Sequence, residues 1–259
     1  MRALTWLESL RSQLDLEHRT LREAMTRAAP YAHGALLDVG CGDKPHEALF
    51  RPYVTSYVGA ERAQTYRRTA SSARSKADLE FDGDRLPLED ESYDTVLCTQ
   101  VLEHVPDPRH WFGELVRVLR PGGRLIVTTP FSYRVHSAPE DYFRFTRYAL
   151  QRFATEESLE IEILQERGGL WIVLAHKAAS HLLVDVLRTR ALAQRLGGYG
   201  HEAPTHSTPR WWLAPAVIPL AGGIVAVGRM FHDLDPDPSD PLGHLLVATK
   251  PRTPIKGGV

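Results

Sequence analysis

The chain has 259 residues, of which 43% are hydrophobic and 24% charged, with a formal net charge of −1. This composition is ordinary for a folded enzyme and excludes collagen-like, coiled-coil and largely disordered chains. The balanced charge gives no support to a nucleic-acid partner. Cys41 and Cys98 lack the spacing of a metal site, so no metal is predicted and both are expected as reduced thiols. The first residues lack the pattern of a secretory signal, and a cytoplasmic location is expected.

The first thirty residues predict an amphipathic helix that ends at Pro30. Its apolar residues recur every three or four positions, at Leu4, Leu7, Leu10, Leu14, Leu21 and Met25. The helix is expected either to pack on the following domain or to act as a lid over an active site.

Short apolar runs then alternate with helical patterns, which is typical of a parallel sheet covered on both faces. The pattern predicts a helix at 108–119, a turn at 120–123, and strands at 35–39, 56–59, 76–79, 93–98 and 124–129. Beyond Pro130 it predicts helices at 146–153 and 170–192, a strand at 159–165, a loop at 197–209, a last strand at 244–250 and a frayed tail.

The strongest chemical signal stands where the first strand ends, at Gly40-Cys41-Gly42. Glycines let the backbone turn tightly and approach a ligand, and the helix expected to follow would present unpaired N–H groups. Glu61 lies nineteen residues past Gly42, where a carboxylate can accept both hydroxyls of a ribose. The pattern indicates an adenosine-containing ligand. Pro45 stands where a dinucleotide fingerprint has its third glycine, which favours a ligand without phosphate.

Four ordered blocks, 36–42, 82–94, 101–105 and 119–125, resemble the class I methyltransferases that use S-adenosylmethionine (SAM), in particular the methyltransferase-11-like group. The resemblance implies a Rossmann-like, doubly wound α/β fold with a mainly parallel seven-stranded sheet, an N-terminal helix and a helical insertion before the last strand. The predicted organisation is an N-terminal helix at 1–30, a SAM-binding core at 31–169, a helical insertion or substrate cap at 170–242, and a final strand and tail at 243–259.

The resemblance also implies site residues for SAM, with S-adenosylhomocysteine (SAH) as the product. Gly40 and Gly42 would line the methionine end, Asp38 would lie near the ammonium group, and Glu61 would hold the ribose. The full predicted cofactor set is Asp38, Gly40, Cys41, Gly42, Glu61, Asp82, Gly83 and Gln100, with Asp82 and Gly83 at the adenine edge and Gln100 near the sulfonium. Here Gly59-Ala60-Glu61 replaces the usual Gly-x-Asp-x ending, which puts the ribose geometry in question.

The segment 130–146 follows the fifth strand at the edge where open α/β folds bind ligands. One interpretation makes His136 a general base oriented by Glu140 or Asp141; the alternative is that these groups fix the loop to the core. The predicted substrate residues are Tyr133, Tyr142, Arg144 and Trp171. The pair Glu103-His104 is expected to cap a helix or turn.

The uncharged stretch Trp211–Gly228 is expected to be buried or to form a dimer surface, with insertion at a membrane interface as the alternative. The predicted function is methyl transfer to a small-molecule acceptor, apolar or aromatic, by in-line displacement. A noncatalytic SAM-binding scaffold or regulator and methylation of a lipid-linked acceptor are the alternatives. The acceptor, the methylated atom (O, N or C) and a homodimer are left open.

Overall fold

The computed structural model of the protein describes residues 14–63, 76–189, 208–234 and 238–252. They fall into two compact units that interleave along the chain. The helical unit draws on Met1–Glu23, Phe131–Asp141 and Glu166–Gly243, and the sheet unit on Ala24–Pro130, Tyr142–Gln165 and His244–Val259. The predictions for Leu4, Leu7 and Leu10, for residues 190–207 and for the end of the tail lie outside the described residues.

Seven strands form one sheet in the order β3-β2-β1-β4-β5-β7-β6. They are β1 (Ala35–Val39), β2 (Ser56–Arg62), β3 (Leu79–Phe81), β4 (Tyr93–Thr99), β5 (Leu119–Pro130), β6 (Glu160–Arg167) and β7 (Gly243–Thr249). The first five strands pair in parallel. This confirms the predicted doubly wound α/β fold.

The last strand, β7, runs against its neighbours. Gly122 donates its N–H to the Lys250 carbonyl, and Lys250 donates to the Gly123 carbonyl, so the end of β7 lies beside the start of β5. Thr249 donates to Glu162 near the start of β6. The sheet is therefore mainly parallel, with one antiparallel strand inserted between β5 and β6.

Four helices belong wholly or partly to the sheet unit: α1 (Leu16–Ala28), α2 (Glu47–Phe50), α3 (Pro108–Arg117) and α4 (Arg147–Glu156). The Asp107 side chain accepts the His110 N–H and Pro108 takes the first helical position, which together start α3. The core lies between the sheet and these helices, where β-strand residues such as Leu37, Val96 and Leu125 join Phe112 of α3 in one cluster. Burial on both faces explains the near-continuous apolar strands.

The helical unit contains α5 (Leu170–Ser180), which continues into a π-helical turn at His181–Val186, and α6 (Ala214–Leu234), which follows a 3-10 turn at Trp211–Leu213. An apolar cluster joins the two helices to Leu16 and Leu242. Gly228 lets α6 approach α5 closely, because a Cβ there would lie 2.4 Å from that of Ala175.

Several predicted elements need correction. The helix expected directly after Gly42 begins only at Glu47 and has four residues, because the chain first makes further turns. The third strand lies later than predicted, at Leu79–Phe81. The helix predicted at 170–192 gives way after Ser180 to the π-helical turn.

The turn expected at 120–123 lies inside β5. Tyr93 pairs with Leu119, whereas Thr95 pairs with Arg124, so residues 120–123 bulge out of a ladder that continues on both sides. Glycines at 122 and 123 satisfied both the turn pattern and this bulge, which is why the sequence favoured a loop there.

Candidate functional site

The candidate site lies in the sheet unit, where β1 and β4 are neighbours. From β1 the sheet continues through β2 to β3, and from β4 it continues through β5, so the strand order reverses between these two strands. In open α/β sheets, ligands bind outside the carboxyl ends of the strands at such a point. Gly40 follows β1 and Gln100 follows β4 at this edge.

The glycine loop after β1 is held by backbone hydrogen bonds to β2. The Ala60 carbonyl accepts the N–H groups of Gly40 at 2.8 Å and Cys41 at 3.3 Å. Gly40 and Gly42 both have positive φ, of 76° and 52°. They differ in surroundings, because a Cβ on Gly40 would lie 2.3 Å from Val101 Cγ2, whereas one on Gly42 would meet no atom of the described residues within 4 Å. Gly40 is thus required by packing, and Gly42 borders open space.

Glu61 links the end of β2 to this loop. Its Oε2 accepts the Gly42 N–H at 2.9 Å, and its Oε1 accepts the Arg62 N–H at 3.1 Å. Burial raises the pKa of the Glu61 carboxyl, although the two N–H bonds work in the opposite direction. Each oxygen keeps a further lone pair, so the carboxylate can still accept hydrogen bonds from a ligand.

Asp38, the fourth residue of β1, is buried and paired with a residue that the sequence did not point to. The Tyr57 hydroxyl donates to Asp38 Oδ2 at 2.5 Å. Asp38 Oδ1 has no hydrogen-bond partner among the described residues. Burial raises the pKa of Asp38 to about 7, with the Tyr57 hydrogen bond lowering it and the nearby Glu61 raising it. A buried carboxyl with one vacant oxygen suits a cationic ligand group.

A second pair of residues, Lys44 and Asp78, was not predicted from the sequence and lies beside the glycine loop. Lys44 Nζ lies 2.5 Å from Asp78 Oδ2, and the same carboxylate accepts the Gly59 N–H at 2.8 Å. Burial alone would raise the pKa of Asp78, but these hydrogen bonds lower it below its usual range. Gly59 makes the arrangement possible, since a Cβ there would lie 2.5 Å from Lys44 Cε and 2.6 Å from Cys41 Sγ.

Cys41, predicted to bind the cofactor, is buried against Gly59. Burial raises the pKa of its thiol well above the usual range, so it stays protonated at neutral pH. Its side chain packs the loop, and its contribution to a ligand would come through the backbone.

Asp82 and Gly83 lie one and two residues after β3, both exposed, at the same carboxyl edge as Glu61. Gly83 has a φ of 87°, and a Cβ there would meet nothing within 4 Å. The loop beyond them is anchored by α3: Glu114 accepts the Leu86 N–H, and Arg117 donates to the carbonyls of Leu86 and Leu88.

Gln100 has a positive φ of 56°, which is uncommon for a non-glycine residue. Its backbone N–H donates to the Thr128 carbonyl at 2.9 Å, and its side-chain amide donates to the Thr128 hydroxyl at 3.2 Å. These two hydrogen bonds tie the start of the loop after β4 to β5. Gln100 is part-exposed at the carboxyl end of β4, where the cofactor site is predicted.

Glu103 belongs to the pair that the sequence predicted to cap a helix or turn. It lies in a 3-10 turn after β4 and is fully buried, with Oε1 3.8 Å from His104 Nε2. The Glu103 carbonyl accepts the Tyr142 N–H at 2.8 Å. The buried Glu103 carboxyl at this edge of the sheet is therefore a candidate functional group. Its only indication in the sequence was a Glu-His pair that follows a strand.

In the helical unit, His136 pairs with Asp141. Asp141 Oδ2 accepts the His136 backbone N–H at 2.8 Å and lies 3.3 Å from Nδ1. The Asp141 side chain is 1% exposed, whereas that of His136 is 20% exposed. Tyr133 packs edge-on against His136 and stacks on His176, with ring centroids 5.3 Å and 5.7 Å apart. Burial lowers the pKa of His176.

The four predicted substrate residues fall in different units. Tyr133 and Trp171 belong to the helical unit, where Trp171 stacks on Phe231 with centroids 4.8 Å apart. Tyr142 and Arg144 belong to the sheet unit; Tyr142 is exposed, and Arg144 donates to the Phe143 carbonyl.

Comparison with known proteins finds relatives of the sheet unit. Residues 37–127 match the family described as Methyltransferase domain. The chain is 30% identical to demethylmenaquinone methyltransferase of Clavibacter sepedonicus over 58% of this chain and 64% of that protein. It is 33% identical to 27-O-demethylrifamycin SV methyltransferase of Amycolatopsis mediterranei over 46% of this chain and 50% of that protein.

The fold agrees with a solved structure, a methyltransferase in complex with the Haloferax volcanii Trm112 methyltransferase activator. The two chains are 20% identical, their alignment covers 96% of each, and the TM-score is 0.54. The chain spans less than two thirds of the length of the curated relatives above. Residues 37–127, which contain the switch-point loop and much of the sheet, are therefore similar in sequence to a methyltransferase domain.

Proposed function

We propose that the protein binds SAM in the loop after β1 and transfers its methyl group to a small apolar or aromatic acceptor. The observation that carries this proposal is found at one sheet edge. Among the described residues, a buried Asp38 oxygen there has no partner and Gly42 borders open space. Around them, Glu61 joins the glycine loop to β2.

The residues fit the chemistry of SAM group by group. The vacant Oδ1 of Asp38 suits the ammonium of the methionine moiety, because a buried carboxylate favours a cationic partner. Glu61 has free acceptor capacity for the two ribose hydroxyls. Asp82, exposed after β3, suits the exocyclic amine of adenine, and the absence of a Cβ at Gly83 leaves room beside it.

When bound, SAM supplies an electrophilic methyl group on a sulfonium. The chain's task is then to bind and orient the two reactants and to exclude water. The hydrogen bonds of Gln100 to Thr128 and of Gly40 to Ala60 hold the two loops at the switch point in place. Such fixed loops reduce the motion that must be lost when reactants are aligned.

We further propose His136 as the proton acceptor for an acceptor hydroxyl, phenol or amine. Asp141 Oδ2 lies 3.3 Å from Nδ1 and can orient the imidazole toward the acceptor. The ring contacts Tyr133–His176 and Trp171–Phe231 in the same unit suit an apolar or aromatic acceptor. The names of the two relatives above, which denote methylation of demethylmenaquinone and of a demethylrifamycin, agree with a small organic acceptor.

Calorimetry with SAM and SAH tests the donor site. Gly42→Ala should weaken SAH binding at least about tenfold, because its Cβ enters the proposed ligand space, while costing only about 1 kcal/mol of stability for the positive φ. Gly122→Ala is the matched control, with a φ of 85° and a Cβ that meets the flexible Arg252 side chain. No SAH binding by the parent protein, or equal binding by both variants, would contradict the proposal.

An acceptor screen with methyl-labelled SAM separates the enzyme from a noncatalytic SAM-binding scaffold. Label should move to an extractable organic acceptor in the presence of the parent protein and not of Gly42→Ala. Binding of SAM without transfer to any of a broad panel of phenols, quinols, amines and lipids would favour the scaffold.

A further inference from the structure

Helix α6 buries only one narrow stripe of its surface. The buried residues are Val217, Ala221, Val225 and Gly228, which recur every three or four positions and therefore share one face. Val225 and Ala221 belong to the apolar cluster that joins α6 to α5. Beside this stripe, Ile224 packs at the edge of the cluster and Phe231 stacks on Trp171, whereas the remaining side of α6 is exposed among the described residues.

The opposite face of α6 is apolar along its whole length. Leu220, Val227, Met230 and Leu234 project from it and are 55%, 50%, 52% and 74% exposed. Residues spaced by seven, three and four positions lie on one side of a helix, and on this side no charged residue separates them. We call these four residues the α6 apolar face. A contiguous exposed apolar surface of this kind marks an interaction site.

Two tryptophans extend the surface at the start of the helix. Trp211 and Trp212 are 46% and 78% exposed, and Leu174 of the adjoining α5 is 51% exposed. Tryptophan side chains favour the boundary between water and lipid headgroups, because the ring is largely apolar and its N–H is polar. The most apolar 18 residues of the segment Trp211–Leu234 have a mean hydropathy of 1.7, and 22% of this stretch is buried.

The charges at this surface are mostly positive. Between residues 208 and 234, the lysines, arginines and acids are Arg210, Arg229 and Asp233, and α5 adds the exposed Lys177. Arg210 directly precedes the tryptophan pair, and Arg229 lies in the last turns of α6. Cations beside an apolar surface strengthen its attraction to anionic lipid headgroups.

We propose that the α6 apolar face, with Trp211 and Trp212, docks the protein on the surface of an anionic lipid bilayer. The helix lies in the plane of the interface, because its buried stripe stays packed on α5 while the opposite face meets the acyl chains. Arg210 and Arg229 contact lipid phosphates. Exposed tryptophans and flanking cations are features of a lipid-binding surface. An interface between two copies of the chain requires neither, so these features favour lipid as the occupant.

Binding of the purified full chain to vesicles tests this docking and is measured without SAM or an acceptor, so its outcome is independent of the proposed function. The parent protein should co-sediment with phosphatidylcholine vesicles that contain about one quarter phosphatidylglycerol, and less with pure phosphatidylcholine. The triple variant Leu220→Ser, Val227→Ser, Met230→Ser should lower the partition coefficient by at least about tenfold. Tyr148→Ser, at a 73% exposed residue of the sheet unit, is the matched control and should bind like the parent.

The charge contribution is tested separately with Arg210→Glu and Arg229→Glu. Each variant should weaken binding to the anionic vesicles by about fivefold or more and have little effect with neutral vesicles. Circular dichroism and SAH calorimetry should match the parent in every variant, since the substituted side chains are exposed or, at Arg210, partly exposed.

Two results would overturn the proposal. The first is parent protein that stays in solution with both vesicle types, or a triple variant that binds as the parent does. The second is a parent dimer, seen by analytical ultracentrifugation, that the triple variant converts to monomer without any vesicle binding by the parent; the α6 apolar face would then join two copies.

Discussion

The hydroxyl of Tyr57 donates a 2.5 Å hydrogen bond to the buried carboxyl of Asp38 from the neighbouring strand. In the register of the two strands, Leu36 is opposite Tyr57 and Asp38 is opposite Gly59, so the bond runs diagonally across the sheet. It binds one oxygen of Asp38 and leaves the other without a described partner. The tyrosine thereby determines which oxygen is available to a ligand.

Tyr57→Phe should weaken SAM binding at pH 7 by about three- to tenfold. The lost hydrogen bond normally lowers the pKa of Asp38, so that pKa rises further in the variant and less carboxylate is present to meet the ammonium. Stability should fall by about 1–2 kcal/mol, because a buried acceptor loses its donor. Calorimetry at pH 7 and 9 checks this: affinity should recover at the higher pH, and an equal deficit at both would contradict it.

Asp38 should also make stability depend on pH. Burial raises its pKa from 3.8 to about 7, so the folded state holds its proton more tightly than the unfolded state. That contribution is fully present below about pH 4 and is lost as the pH rises through about 7, amounting to about 4 kcal/mol. Asp38→Asn mimics the protonated form, and urea unfolding should find it about as stable as the parent at pH 4.5 but more stable at pH 8.

The same substitution should have the opposite effect on the ligand. Asp38→Asn removes the carboxylate, so SAM affinity at pH 8 should fall at least about tenfold. SAM binding by the parent should strengthen as pH rises through about 7 and release a proton below that pH. Affinity of the parent that does not change between pH 5.5 and pH 8.5, with no proton release, would contradict the assigned role.

Arg117→Met should destabilise the protein by about 2 kcal/mol. The Arg117 guanidinium binds Glu114 at 2.8 Å and donates to the carbonyls of Leu86 and Leu88, with its side chain 16% exposed. Removing it leaves part-buried acceptors without donors. Arg120→Met is the control, because Arg120 is 45% exposed and pairs with Asp94 near the surface; urea unfolding should show a loss below about 1 kcal/mol.

His136→Gln should lower kcat by about 100-fold and leave SAM affinity unchanged if His136 accepts the proton. Asp141→Asn should have a smaller effect, about tenfold, because Asp141 orients the ring and does not take the proton itself. Glu140→Gln should leave kcat within about twofold, which distinguishes Asp141 from its neighbour. Steady-state kinetics with an identified acceptor provides the measurement, and full activity of His136→Gln would remove it as the base.

The strand–helix alternation and the switch-point loop could be predicted from local sequence. Buried parallel strands are apolar throughout, so they can be recognised in the sequence. The loop Gly40-Cys41-Gly42 can be recognised because Glu61 follows Gly42 by nineteen residues. The bond from Gly42 to Glu61 confirms that the structure brings these residues together. Their role in binding SAM stays a prediction.

Other features depend on contacts between residues far apart in sequence. Nothing near Tyr57 or Asp78 indicates that they bind Asp38 and Gly59, since strand register brings them together only after folding. The burial of Glu103 depends in the same way on tertiary packing. The exposure of the α6 apolar face could not be predicted either, because an uncharged run has the same sequence pattern whether packing buries it or leaves it exposed.

The position of β7 limits how this chain can be cut. Residues 37–127, the part that matches the methyltransferase domain, contain the end of β1, all of β2 to β4 and most of β5. The outer edge of β5 is covered by β7, which arrives only from residue 243. An excised fragment of that length would therefore expose the backbone N–H and C=O groups of a hydrophobic strand that includes Ile126 and Val127, and open edges of this kind template aggregation. Soluble expression of residues 37–127 thus requires the distant C-terminal strand, or a redesigned and charged β5 edge in its place.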